Sequence, residues 1–296
     1  MTRRSVFTLG AIAVLALAAW LLMRQPGETS SDTSGGELLA FYDSAAVDRL
    51  EIRTREGEAV LEKSAGGWML AHPVRYPADP EAVAAALGKG RSVRLTALVS
   101  TNPAKQHLFL VDSSGTLVRV FEKGTLKAAF RVGKPGPGFT ETFVRREGTD
   151  EVYLGGDLLG YTFGRAPLEW RDKTVFSAAR EAIREVRYRY GDTLFTLALT
   201  DSVWRVDSLP AAPGTVQPVL DALAKFQADR LIDTAVTAPP PLRAVIEAAG
   251  VQIRFHPDAA SGIYFVQSSR SAQWFGVQSW RAEQVLKHVS WFSPGR

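Results

Sequence analysis

The side chains able to do chemistry are few and dispersed. The chain has four histidines, His72, His107, His256 and His288, and no cysteine. Without thiols there are no disulfides, no thiolate nucleophile, no Cys-ligated zinc, no iron–sulfur cluster and no lipidation of an N-terminal cysteine. The histidines are not spaced four apart, and no His-Glu-x-x-His string occurs to present a zinc pair on one helix face. His72, in a proline turn, and His256, before Pro257, are expected in solvent. A serine hydrolase needs Gly-x-Ser-x-Gly at a strand–helix elbow. Ser113-Ser114-Gly115 and Ala260-Ser261-Gly262 read instead as hairpin turns. No catalytic, cofactor-binding or metal-binding residue is assigned.

Two strings stand out. Gly133-Lys134-Pro135-Gly136-Pro137-Gly138 has the glycine content of a phosphate cradle. Pro135 and Pro137 lack the N–H groups that a cradle needs, and no Lys-Ser/Thr helix start follows. It is read as a turn joining two strands. Trp170-Arg171-Asp172-Lys173 sets an aromatic ring beside charges of both signs. It is read as an ion pair between two lobes with Trp170 packed against it. A glycosidase-like pair of carboxylates would have to converge in a cleft, and Asp79 is already occupied as a helix cap. The C-terminal Trp274, Trp280 and Trp291 lie near Phe275 and Phe292. Exposed together they would form a partner face; packed, they would seat the last helix on the last sheet. Arg187 and Arg189 alternate onto one strand face, as a solvated surface or a contact for anionic headgroups.

These residues need a scaffold, and composition bounds it. The chain has 296 residues, 46% hydrophobic and 22% charged, with 35 Lys+Arg against 31 Asp+Glu. That is globular composition with room for one large or two small domains. A surplus of +4 over such a chain is too thin for duplex binding, so no nucleic-acid partner is expected.

The nineteen residues Ser5–Met23 carry no charge, between Arg3-Arg4 and Arg24. As a helix they span about 28 Å, one hydrocarbon core. Ala16-Leu17-Ala18 has the small–x–small form of a cleavage site but lies inside the run, so residues 1–24 read as an uncleaved transmembrane anchor. The paired arginines keep the short end in the cytoplasm. The inner membrane is the expected location, with the rest of the chain facing the periplasm or cell exterior. Residues 25–36, rich in Gly and Ser, read as a tether.

An internal repeat organises the remainder. At an offset of 136 (204 minus 68), Trp68 falls on Trp204, Pro77 on Pro213, Val83 on Val219, Leu87 on Leu223 and Leu95 on Leu231 without a gap. Each block reads as a strand pair ending at Trp, a proline turn, a helix and an exit strand. Asp79-Pro80-Glu81 opens the first helix as cap, first-turn proline and first-turn acid, and Gly88 and Gly90 close it. Thr215 and Ser279 are expected caps of later helices. Strands are expected at Val47–Arg53, Ala59–Lys63, Trp68–Leu70, Leu108–Val111, Leu117–Glu122, Ala128–Val132, Thr142–Arg145 and Glu151–Leu154. Further strands are expected at Val186–Tyr190, Leu194–Leu199, Trp204–Val206, Val251–Phe255, Ile263–Gln267 and Gln273–Val277. Ser177–Glu185 reads as a short helix or linker. The class is α+β: two similar strand-rich lobes from an internal duplication, 37–176 and 177–296, each an antiparallel sheet with one or two helices, after the transmembrane helix.

Gly67-Trp68-Met69-Leu70, Tyr76-Pro77-Ala78-Asp79, Ser100-Thr101-Asn102-Pro103, Val132-Gly133-Lys134, Phe143-Val144-Arg145, Val152-Tyr153-Leu154 and Trp170-Arg171-Asp172-Lys173 resemble the bacterial domain-of-unknown-function family numbered four-three-four-zero. The resemblance spans residues 45–235, and the anchor fits it. The second copy departs at Gly214-Thr215, where the first has Ala78-Asp79. The resemblance implies an accessory role beside a membrane transporter of ABC type. The anchor, the tether, the repeat and the lack of a catalytic constellation point to a non-enzymatic envelope protein whose partner is a transporter or another envelope protein. The resemblance brings no functional residues with it. The alternative is a binder of, or an enzyme on, an envelope glycan or lipid, working at a cleft between the lobes.

Overall fold

The computed structural model describes residues 36–138 and 140–293. The expected anchor, and the tether before Gly36, lie outside the described residues. The chain divides after Trp170 into two compact units.

The first unit has nine strands: β1 (Val47–Thr54), β2 (Gly57–Ser64), β3 (Gly67–His72), β4 (Tyr76–Pro77), β5 (Leu95–Ser100), β6 (Thr116–Glu122), β7 (Thr125–Pro135), β8 (Thr142–Arg146) and β9 (Val152–Gly155). They form one sheet in the order β4-β3-β2-β1-β6-β7-β8-β9-β5, and its pairings are antiparallel. Helix α1 (Pro80–Ser92) leaves β4 at one edge and delivers the chain to β5 at the other. It must therefore cross the width of the sheet. Its Ala82, Val83, Ala86 and Leu87 join Leu50, Ile52, Leu61, Val118, Phe130 and Val144 in one core.

The helix starts as its residues dictate. Asp79 accepts hydrogen bonds from the N–H groups of Glu81 (2.9 Å) and Ala82 (3.0 Å), and Pro80 needs none. It does not stop at Gly88 or Gly90 but runs to Ser92. Gly90 is there for space: a Cβ would sit 2.4 Å from the Tyr42 hydroxyl, which donates to the Leu87 carbonyl at 2.7 Å. The expected strand over 108–111 is a 3-10 helix, Pro103–Phe109, capped by Asn102. It lays Phe109 and Val111 against Phe143 and Val152 on the sheet's second face, so Thr142–Arg145 of β8 is buried throughout. A short helix, α2 (Leu159–Phe163), closes the unit.

The second unit holds β10 (Thr174–Ser177), β11 (Glu185–Tyr190), β12 (Thr193–Thr200), β13 (Val203–Val206), β14 (Leu209–Pro210), β15 (Lys225–Gln227), β16 (Arg230–Ile232), β17 (Ala244–Ala248), β18 (Val251–Asp258), β19 (Ile263–Ser268) and β20 (Trp274–Gln278). Its helices are α3 (Val216–Ala224), α4 (Ser279–Val285) and α5 (Val289–Phe292). The main sheet runs β14-β13-β12-β11-β17-β18-β19-β20-β16, strand for strand the order of the first. Register agrees too. Leu50 opposite Leu61 and Lys63 opposite Trp68 become Val186 opposite Leu197 and Leu199 opposite Trp204. Residues 171–176, assigned above to the first lobe, fold here, because β10 pairs with β15.

Several expectations fail locally. Thr215 does not cap α3; its hydroxyl donates back to the Ala212 carbonyl at 2.7 Å. Ser279 is the first residue of α4 and donates to Gly262 instead. The last helix is two short ones. Ser177–Glu185 contains only a 3-10 turn, Arg180–Ala182. The class is α+β, with two large antiparallel sheets and few helices.

The caps predict an asymmetry. Asp79→Ala should lower stability by about 1 kcal/mol, and Thr215→Ala by clearly less, in matched chemical denaturation. Gly90→Ala should destabilise by about 1–3 kcal/mol through overpacking on Tyr42, with part of the loss recovered by adding Tyr42→Phe.

Candidate functional site

Trp68 and Trp204 occupy matching places, but near the starts of β3 and β13 rather than at strand ends, and both are half-buried rather than core. Pro77 pairs with Met69, and its counterpart in register is Pro210, opposite Arg205. Pro213 lies in the exposed turn before α3. The match is therefore not gap-free: at β14 it slips by three residues (213 minus 210), and the helix, which starts at Pro80 and Val216, restores the offset.

The Trp170-Arg171 peptide bond is where the chain passes from one unit to the other. Trp170 is fully buried in the first core, and its carbonyl accepts the Asp79 N–H at 2.8 Å. Its indole N–H has no hydrogen-bond partner among the described residues. Arg171, also buried, forks onto Asp233 at 2.6 and 2.8 Å. The Arg171 hydrogen bonds hold the Asp233 carboxyl below the usual carboxylate range. Both partners belong to the second unit, so this pair, expected between the lobes, is internal to one. Asp172 accepts from the Thr174 N–H at 2.8 Å and shapes a turn.

The C-terminal aromatics divide. Phe275 and Phe292 are fully buried, whereas Trp280 is 58% and Trp291 48% exposed. Arg281 lies over Trp280 and Lys287 over Trp291, each with its charge within 5 Å of the ring centre. Trp291 donates to the Thr215 carbonyl at 3.2 Å, while Arg281 is tied to Asp229. The two rings thus rest on different neighbours. Trp274 is half-buried, edge-on to His256 at 5.3 Å. His256 is buried rather than solvated, with Nδ1 2.7 Å from the Pro240 carbonyl oxygen.

Two of the concave surfaces among the described residues bear on function. In the first unit Gly133–Gly138, expected to be a turn, is the end of β7 through Pro135 and the start of the connection to β8, and it walls an apolar recess of about 530 Å³ with Leu158 and Tyr161. Tyr161 is 82% exposed. Gly133 is pinned, since a Cβ would meet the Phe109 carbonyl at 2.2 Å. In the second unit, one end of the sheet carries a polar recess of about 350 Å³ lined by Gln252, Arg254, Gln267, Ser269, Arg270 and Ser271. Sequence reasoning identified neither Tyr161 nor Arg254; the only signal for Arg254 was its outward position in an alternating strand. Among the described residues no group of three His, Asp or Glu side chains could hold a metal ion. No helix among them is long and apolar enough to cross a membrane.

The family model for Domain of unknown function (DUF4340) matches residues 68–244, more than half of the 296 residues. The chain belongs to this family. The DUF4340 match begins at Trp68 on β3 and ends at the first residue of β17, so it straddles both units. No curated protein and no solved structure matches the chain.

Trp170→Ala should cost about 3–5 kcal/mol, the cost of deleting a buried indole, read by denaturant unfolding. Asp233 has a depressed folded-state pKa. Its contribution is therefore present above the usual carboxylate range and fades as pH falls through the folded value. Asp233→Asn should weaken stability at neutral pH and flatten its decline on acidification below about pH 4.

Proposed function

We propose that this protein is a single-span envelope protein, a non-enzymatic accessory module that binds a membrane transport component of ABC type. The anchor, residues 5–23, holds it in the inner membrane, and the two lobes stand in the periplasm or outside the cell as copies of one duplicated unit. Support for the duplication comes from the shared strand order and the matching registers of β1–β3 and β11–β13. The location rests on the uncharged run behind Arg3-Arg4.

The observation carrying the binding role is the apolar recess beside Tyr161. An aromatic side chain this exposed, beside a proline-stiffened wall, fits an apolar anchor residue from a partner. Pro135 and Pro137 restrict the wall before binding, which reduces the ordering cost.

A photo-crosslinking residue at Tyr161 in intact cells should give one predominant adduct with a membrane protein. The same probe at Lys123, in the turn between β6 and β7, should not. Identical adduct patterns at the two positions, or recovery of the chain in the soluble fraction, would overturn the proposal.

A further inference from the structure

The two sheets share a topology but treat one corner in opposite ways. In the first unit Arg131 of β7 stands opposite Arg145 of β8. Two like charges side by side on a sheet are unfavourable. Glu147, in the turn after β8, resolves this: it takes Arg131 at 2.8 and 3.2 Å and lies 3.8 Å from Arg145. The loop preceding β6 roofs the cluster. Arg131 donates to the Asp112 carbonyl at 2.8 Å and Arg145 to that of Val111 at 2.9 Å. The corner is complete within the unit.

In the second unit Arg254 of β18 stands opposite Gln267 of β19. Register makes them the counterparts of Arg131 and Arg145, because Val132 opposite Val144 becomes Phe255 opposite Val266. The turn after β19 then aligns Ser269 with Glu147 at an offset of 122 (266 minus 144), and Glu147-Gly148-Thr149-Asp150 becomes Ser269-Arg270-Ser271-Ala272. Two acids have gone and an arginine has come in. The Arg254 side chain is exposed and makes no hydrogen bond or ion pair among the described residues, and the Arg270 guanidinium has a 3.4 Å contact with the Ser177 carbonyl. No carboxylate lines the recess. Nearby acids are engaged: Glu247 accepts from the Gln252 amide at 2.7 Å, and Glu185 pairs with Arg187 at 2.5 Å.

We infer that this corner of the second unit is an oxyanion-binding site, in which a carboxylate or phosphate of an external ligand takes the place that Glu147 fills in the first. Arg254 and Arg270 supply charge, a guanidinium being suited to bidentate contact with either group. Gln267 and the hydroxyls of Ser269 and Ser271 supply neutral donors around it. The inference stands independently of the transporter reading.

The test uses the full chain in mild detergent, with equilibrium dialysis of radiolabelled succinate in one arm and inorganic phosphate in the other. Saturable binding in at least one arm, with a millimolar or tighter dissociation constant, is expected, and the preferred arm identifies the oxyanion. Ser269→Glu restores the internal acid and should weaken that binding at least tenfold while leaving the melting temperature unchanged or higher. Arg254→Gln should weaken it comparably. No binding in either arm, or binding that both variants leave intact, overturns the site.

Discussion

Both sheets are organised by one constraint: the sheet strand before the crossing helix and the next strand to join that sheet after it lie on opposite edges, with β15 intervening in the second unit. The helix has to traverse one face, and that face becomes the core. Much else in the first unit follows. The helix must begin sharply, which Asp79 and Pro80 ensure. It must lie close to the entering chain, which is why Gly90 faces the Tyr42 hydroxyl. Burial pushes that hydroxyl's pKa up, so it remains a donor to the helix carbonyl of Leu87. The second unit meets the same constraint with a shorter helix and no side-chain cap at Thr215.

With one face given to the helix, the units differ on the other. The first covers the β8 corner of it with Phe109 and Val111, which leaves β8 buried on both sides and locks two arginines onto Glu147. The second keeps its corner open and places Ser269 where the acid would be. The same strand order thus offers a covered corner in one unit and an exposed, cationic one in the other. The matched DUF4340 region spans parts of both.

Much of this fold was legible because β1–β3 and their counterparts alternate cleanly and their turns carry glycine. Leu108–Val111 misled, since its apolar run sits behind Asn102-Pro103, a helix start. Ala-Val-Ile-Glu-Ala of β17 showed no alternation because four of its five residues are buried, and so it was not anticipated as a strand. The repeat was visible only where the offset holds at 136. Between Val118 and Ile246 it has fallen to 128, and between Val144 and Val266 to 122. The site was less legible for a related reason. Trp170 and Asp172 attract attention by composition, yet one is a core plug and the other a turn former. The open corner is defined by what is missing relative to a second copy, and that comparison needs register.

The edge pairing of β5 with β9 also shapes how the chain can be made. Strand β5 ends at Ser100, and its partner begins at Val152. A polypeptide emerging N-terminus first, from a ribosome or a translocation pore, therefore exposes an unpaired edge while the 51 residues from 101 to 151 are still to come. During that interval the nascent segment is a template for unwanted strand addition, which a holding chaperone on the emerging side would block.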